Sequence, residues 1–534
     1  MRKVVIFFVS LFCFFSAFAQ EKLGVENSNY SSTNSILLNP SSSVDSRTMV
    51  QVNLVGANIY GMTNQVYIPN FSIWSAAKTG VQDPQISKIP FNKFVYLKAE
   101  VDGPSVVVSN REIGVGFFVR ARAEGNINNI PAGLGNYFVN QSKDTSAKTF
   151  DIDLSSTKLS EMTWVEYGLN LGKMFFKHGD VIIAGGANLK YLTGINIAYA
   201  DFSRLKAHID PTQVNVQNFK GEMRYNTPGW NTGRGAGADL GITYKKMLKW
   251  VDSYYSNSKK SSCKYIDYKY KIGVSLLDVG AIRFVDNTFK EDITGGAVNV
   301  TMNDLKKTSN PDSLYNFIKN NFKTSTKTNS PIWASLPTAL SVQADWNMSY
   351  YLHFKKEHFY INTTLIQGLT TAATVGVQRS NLISIAPRYE IQNIGIAIPL
   401  TFQRYLYPQV GFAFRFRTFA LGFDNVLPFI LKNNTYGMNV YFNLGFSLFK
   451  NPACKVSHPR FAPPKIYNGY TFLSLRGKPK KSVSSNGPIS KQIAKASAGS
   501  RMKVISPEKY EGRGQNRKRH KFKFKNLFRR SKKF

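Results

Sequence analysis

Charged residues set inside otherwise apolar, alternating stretches are the first positions in this sequence that could do chemistry. Arg120, Arg122, Glu166, Lys190, Asp239 and Arg415 each lie on the polar side of such an alternation. Against lipid a mid-membrane Arg or Lys would cost about 2 to 4 kcal/mol, so these side chains are expected to face a lumen. Two readings stand for them: internal salt bridges that hold a plug or packed core, and a solute path. In a path, rings of cations would favour anions. Catalysis lacks comparable support. The six histidines are scattered, and no HExxH spacing, carboxylate pair or Ser/His/Asp grouping stands out. No catalytic residue, metal site or cofactor is expected.

The run Gly233-Arg234-Gly235-Ala236-Gly237 invites a nucleotide-loop reading. Such loops place glycines between a strand and a helix N-terminus, where free N–H groups converge on phosphate. Here the glycines alternate and continue to Gly241, so they are expected to thin the lumen face of a strand or relieve its curvature.

The C-terminal region has a different chemistry. Residues 450–534 hold 24 Lys or Arg against Glu508 and Glu511, which is +22 of the whole-chain +37. Its last part interleaves cations with aromatics: Arg517, Lys518, Arg519, Lys521, Lys523, Lys525, Arg529 and Arg530 stand among Phe522, Phe524 and Phe528. That pattern suits phosphate neutralisation and base stacking. The N-terminus argues against nucleic acid, because Arg2 and Lys3, the apolar run Val4 to Phe15 and Ala17-Phe18-Ala19 make a signal peptide, with cleavage between Ala19 and Gln20. For an exported tail the anionic contacts are lipid headgroups, cell-wall polymers or acidic periplasmic proteins. A solvated, largely disordered extension is the alternative.

The elements that position the six charges are strands. Residues 49–449 show period-two alternation, as in Ile113, Val115, Phe117, Val119 and Ala121 against Gly114, Gly116, Phe118, Arg120 and Arg122. Val165 to Gly172, Val181 to Tyr191, Gly235 to Tyr244 and Tyr268 to Leu276 repeat it, with Tyr268, Tyr270, Ile272 and Val274 placed on one face. Further strands are expected near Leu382 to Glu390, Ile394 to Phe402, Gln409 to Phe416, Phe419 to Phe423 and Asn439 to Phe449. Lys177 to Asp180 reads as a tight hairpin turn. Beyond the signal peptide no run of about 20 apolar residues occurs, so helical spans are excluded. The expected fold is an all-β transmembrane antiparallel barrel of roughly 14 strands. Long extracellular connections are expected at about 124–161, 195–234 and 278–336, the last with a helix at Asp312 to Ile318. The organisation is a signal peptide at 1–19, a barrel at 20–449 and a basic periplasmic tail at 450–534.

Cys263 and Cys454 are the cysteines of the mature chain, and counting strands from a periplasmic N-terminus puts both on the periplasmic side. They form a candidate disulfide in an oxidising compartment.

Several stretches resemble the FadL-like superfamily of outer-membrane barrels, especially a group of exported barrel proteins from Bacteroidota. They are Asn39-Pro40 with Asp45-Ser46-Arg47, Gly186 to Gly194, Gly235 to Tyr244, Ser275 to Gly280, Leu336-Pro337-Thr338, Ala386 to Glu390 and Gly422 to Asn425. The resemblance implies an outer-membrane barrel with a periplasmic N-terminus. It also implies one of two roles found in the wider superfamily, movement of small hydrophobic molecules or service in type IX secretion and gliding machinery. It assigns no substrate and does not reach the basic tail.

Overall fold

The computed structural model describes residues 21–448 apart from 45, 90–91, 111, 132–148, 211–212, 253, 255–265, 302–319, 353–357 and 371–373. Cleavage at Ala19/Gln20, both cysteines, the helix expected at 312–318 and the tail cations all lie outside the described residues.

Alternating residues send one row of side chains outward and the next inward, and fourteen such strands close on themselves. They are β1 Val50–Thr63, β2 Lys93–Asn110, β3 Ile113–Ile130, β4 Thr157–His178, β5 Val181–Ile209, β6 Gly233–Met247 and β7 Tyr268–Phe284. The second half has β8 in two pieces, Ile332–Ser335 and Ala339–Asn347, then β9 Phe359–Gly368 and β10 Leu382–Glu390. β11 is Ile394–Ala397 with Leu400–Gln403, and β12 is Tyr407–Val410 with Phe412–Phe416. β13 Phe419–Phe423 and β14 Gly437–Leu448 complete the wall. Each strand pairs antiparallel with the next, and β14 returns to β1 with Leu448 opposite Val50 and Gly437 opposite Met62. Closure leaves the wall no unpaired edge.

Both chain ends of the barrel lie at one rim, called here the terminal end, together with the Gly179-Asp180 turn between β4 and β5. The connections expected to be long loops are at the opposite, far end, and most of their described residues are in strands. β5 runs on to Ile209 and pairs there with Phe150–Asp153 and with Gln213–Asn226. The latter pairs in turn with Thr288–Gly295 and Val298–Thr301. This extension has its own apolar core around Val214, Val216, Phe219, Ile293 and Phe322.

The inner and outer faces fall largely where the alternation put them. Val115, Phe117, Leu169, Leu171, Leu189, Leu240, Ile242, Phe442 and Leu444 are exposed on the outside. Tyr268 is the exception. The register slips between Lys246 and Met247 of β6, which turns Tyr268 inward to donate to Asp345 at 2.8 Å.

The lumen is filled by the segment that precedes β1. Two short helices, α1 Leu23–Glu26 and α2 Ser32–Leu38, lead into a 3-10 turn at Pro40–Ser43. Residues 21–28 and 31–41 are all buried. The plug seats on a row of inward-facing glycines directly opposite one another on four strands: Gly114, Gly172, Gly186 and Gly241. A Cβ on Gly186 would lie 2.5 Å from the Pro40 carbonyl oxygen, and one on Gly114 would lie 2.6 Å from Ser43. The glycines do thin the lumen face, and what occupies the space is the Asn39-Pro40 turn.

Gly186→Val is expected to push the turn off the wall at a cost of about 1 to 3 kcal/mol. Gly296→Ala, where nothing lies within 4 Å, should leave the barrel unchanged. Thermal unfolding in detergent, with thiol labelling of a Ser42→Cys reporter, measures both.

Candidate functional site

Above the glycine row the inward faces of β2 to β7 carry charge. Arg120 and Arg122 stand two residues apart on β3, so both point inward, toward Glu166 of β4. Arg120 Nη2 lies 2.7 Å from Glu166 Oε2, and Arg122 Nη1 lies 2.8 Å from Glu166 Oε1. Arg122 also reaches Glu124 at 2.6 Å and stacks over the Trp164 ring at 4.7 Å. Trp164 donates its indole N–H to Glu166 at 2.8 Å.

The hub is Asp278. A bulge in β7 places it at φ 53°, in the left-handed region, and turns its carboxylate inward. It receives Arg122 at 3.0 Å, Lys190 at 2.6 Å and Arg379 at 3.0 Å. Lys190 also binds Asp239 at 2.7 Å, and Asp239 accepts the Asp278 backbone N–H at 2.7 Å.

The plug completes the cluster. Glu21 takes Arg379 at 2.6 Å and Lys98 at 3.3 Å, and Lys22 pairs with Glu100 at 3.0 Å and with Asp102. Within this cluster six cations, Lys22, Lys98, Arg120, Arg122, Lys190 and Arg379, meet seven carboxylates, Glu21, Glu100, Asp102, Glu124, Glu166, Asp239 and Asp278. Charges this deeply buried persist only when paired and hydrogen-bonded.

Five of the six charges expected in the lumen therefore meet in one network. Arg415 does not join it. Its guanidinium donates to the backbone carbonyls of Ile391 and Arg417 at 2.9 and 2.8 Å and lies over the Tyr30 ring at 5.0 Å, so it holds the plug nearer the terminal end. The sequence reading missed Asp278, Arg379, Glu21, Lys22, Lys98, Glu100, Asp102 and Glu124. Lys98, Glu100 and Asp102 alternate on β2 as Arg120 and Arg122 do on β3, and that spacing was a usable signal. Arg379 gave none, because it enters from the β9–β10 connection.

That connection also covers the far side of the network. Ser335 donates its N–H to the Val375 carbonyl at 2.9 Å, and Val377 packs with Met162, Trp164, Leu192, Ile197, Ile282, Phe284 and Leu336 in an apolar layer. Toward the terminal end, Arg47 pairs with Asp267 at 2.8 Å, and Arg388 pairs with Asp345 at 2.8 Å.

On the outside, beside the glycine row, a groove of about 580 Å³ indents the wall. Gly114, Gly172, Gly186 and Gly241 of the row line it together with Gly185 and Ala187, flanked by Leu171, Phe175, Leu240, Ile242 and Val274. The backbone ladder of β3 to β7 is continuous beneath it.

Fold and site together define a closed β-barrel plugged by its own N-terminal segment. The chain belongs to a family of unknown function, DUF5723, whose model matches residues 40–424. No curated protein matches the sequence. Among solved structures it is similar to the toluene transporter TbuX of Ralstonia pickettii, at 7% identity over 81% of this chain and 99% of that one, with a TM-score of 0.38. It is also similar to the TodX monoaromatic hydrocarbon channel, as its deltaS2 mutant, at 8% identity over 78% and 95%, with a TM-score of 0.36. A Pseudomonas aeruginosa FadL homologue matches at 8% identity over 80% and 97%, with a TM-score of 0.22.

Asp278→Asn, which strips three cations of their shared partner, is expected to destabilise the folded barrel by about 3 to 5 kcal/mol. Asp180→Asn breaks only the half-exposed pair with Lys246 and should cost about 1 kcal/mol or less. Denaturant unfolding followed by heat-modifiable gel mobility separates the two.

Two plug carboxyls titrate in opposite directions. Burial and the neighbouring Glu21 push Glu26 from 4.5 up to about 8. Burial also opposes ionisation of Glu21, but Arg379 and Lys98 outweigh it and bring that group from 4.5 down to about 2. A raised carboxyl contributes its stability fully below its unfolded value, and that contribution is lost as pH rises. Glu26 should therefore loosen the plug between about pH 4.5 and 8, and Glu21 should do so as pH falls from about 4.5 toward 2. Melting temperature against pH checks this: Glu26→Gln should flatten the alkaline slope and leave the acid one.

Proposed function

We propose that the chain is an integral outer-membrane barrel, with its terminal end and basic tail in the periplasm, that passes small hydrophobic molecules rather than serving as an open aqueous pore. The exposed apolar residues around the wall support the membrane reading, since a soluble protein would rarely leave so much contiguous apolar surface in water.

The observation that carries the choice of cargo is the outer groove beside the glycine row. Its lining is apolar, its volume suits a small hydrocarbon, and on the lumen side of those glycines there is no side chain before the Asn39–Ser43 turn. The ladder there is intact, so passage needs the turn and the local strand pairing to shift together. An ion-paired plug leaves ions no comparable way through.

The plugged lumen also favours a second reading, a non-transport envelope scaffold whose tail binds an anionic cell-wall polymer or an acidic periplasmic partner. Uptake separates the two. Cells carrying the protein should accumulate a small aromatic hydrocarbon faster than cells lacking it, and Ala187→Trp, which fills the groove, should remove most of the difference. In planar bilayers the full chain should show no ionic steps, whereas deletion of residues 21–46 should open a channel. Equal uptake with and without the protein would sink the transport reading and leave the scaffold.

A further inference from the structure

A second cavity, of about 60 Å³, lies between the plug and the inner wall toward the terminal end. Its lining differs from the charge network above it. Lys245 of β6 and Lys271 of β7 both border it, and they are directly opposite each other in register. Like charges facing across neighbouring strands destabilise a sheet, and an anion near both would offset that. The carboxylate nearest Lys271 is Asp345, at 3.4 Å, and that group also serves Arg388 at 2.8 Å and the Tyr268 hydroxyl at 2.8 Å.

The plug supplies most of the rest of the lining, and it supplies hydrogen-bonding groups. Ser42, Ser41, Asn27 and Arg47 border the space, with Thr243 from the wall. The Ser42 hydroxyl is buried and has no protein partner among the described residues. The carboxyl on the cavity wall is Glu26, and at neutral pH burial and Glu21 keep it protonated, a donor rather than a negative charge. Donors and ammonium groups around a volume of one or two waters suit a single group of tetrahedral or planar oxyanion size.

We propose that this cavity binds one small oxyanion, a phosphate, sulfate or carboxylate group, between Lys245, Lys271 and the serine hydroxyls of the plug. The anion bridges plug and wall, so its occupancy sets how firmly the plug is held. It is either a free ion or the end group of a longer molecule entering from the terminal end. The proposal is independent of what the barrel passes.

The test uses the full chain in detergent, prepared without phosphate. Melting temperature is followed as inorganic phosphate or octyl phosphate replaces chloride at constant ionic strength. A ligand that binds only the folded state raises the melting temperature in a saturable way. Lys271→Gln and Lys245→Gln should each weaken the apparent affinity about tenfold, the loss of one charged hydrogen bond. Gel mobility confirms that both variants fold. A response to inorganic phosphate assigns a free ion, and one confined to octyl phosphate assigns the end group of an amphiphile. The idea is overturned if neither probe acts differently from chloride, or if the double variant responds as the parent does.

Discussion

The structure depends on one constraint: a fourteen-strand cylinder encloses more space than its own inward side chains can fill. A barrel of about eight strands can pack its interior, whereas wider ones hold a channel or need a plug. Here the segment before β1 takes that place, and its charges are part of the interior's balance. Without Glu21 and Lys22, Arg379 and Lys98 would lose a carboxylate, and Glu100 and Asp102 would lose a cation. Wall and plug are therefore one electrostatic unit.

Shape enforces the same unity at a second level. The four glycines in register give the Asn39–Ser43 turn a flat seat, and polar side chains on neighbouring strands tie it down. Asn170 donates to the Pro40 carbonyl at 3.0 Å, Asn188 to that of Ile36 at 2.9 Å, and Ser275 to that of Leu38 at 2.6 Å. The plug's short helices leave backbone carbonyls that need such donors. A wall of larger residues would have no room for the turn, and a wall of apolar ones would leave those carbonyls unpaired.

The wall was legible because its code is local. Period-two alternation marked Leu382–Glu390 and Phe419–Phe423 to the residue, and it put Arg120, Arg122, Glu166, Lys190 and Asp239 on the correct face. A bulge defeats that code by inserting one residue. The slip after Lys246 sent Tyr268 to the wrong side, and the one at Asp278 hid the hub of the network. The plug was illegible for a different reason. Residues 21–48 are rich in Ser and Asn and lack periodicity, so nothing local distinguishes them from an exposed linker. Their partners lie far off in the chain, as with Arg379 and Glu21, 358 residues apart.

A plug held in this way limits how anything can move through the barrel. Withdrawing it whole would strip Arg379 and Lys98 of Glu21, and single buried pairs already cost several kcal/mol to break. A smaller motion confined to the Asn39–Ser43 turn keeps those pairs intact, because the turn meets backbone and neutral polar groups rather than the charge cluster. The turn lies between two different features: the apolar groove outside the glycine row and the lysine-lined cavity at its own foot. An anion in that cavity would pin the turn from the terminal end, and its departure would free a part of the plug that can shift without stranding a charge. The energetics thus favour a local shift of the turn over withdrawal of the whole plug.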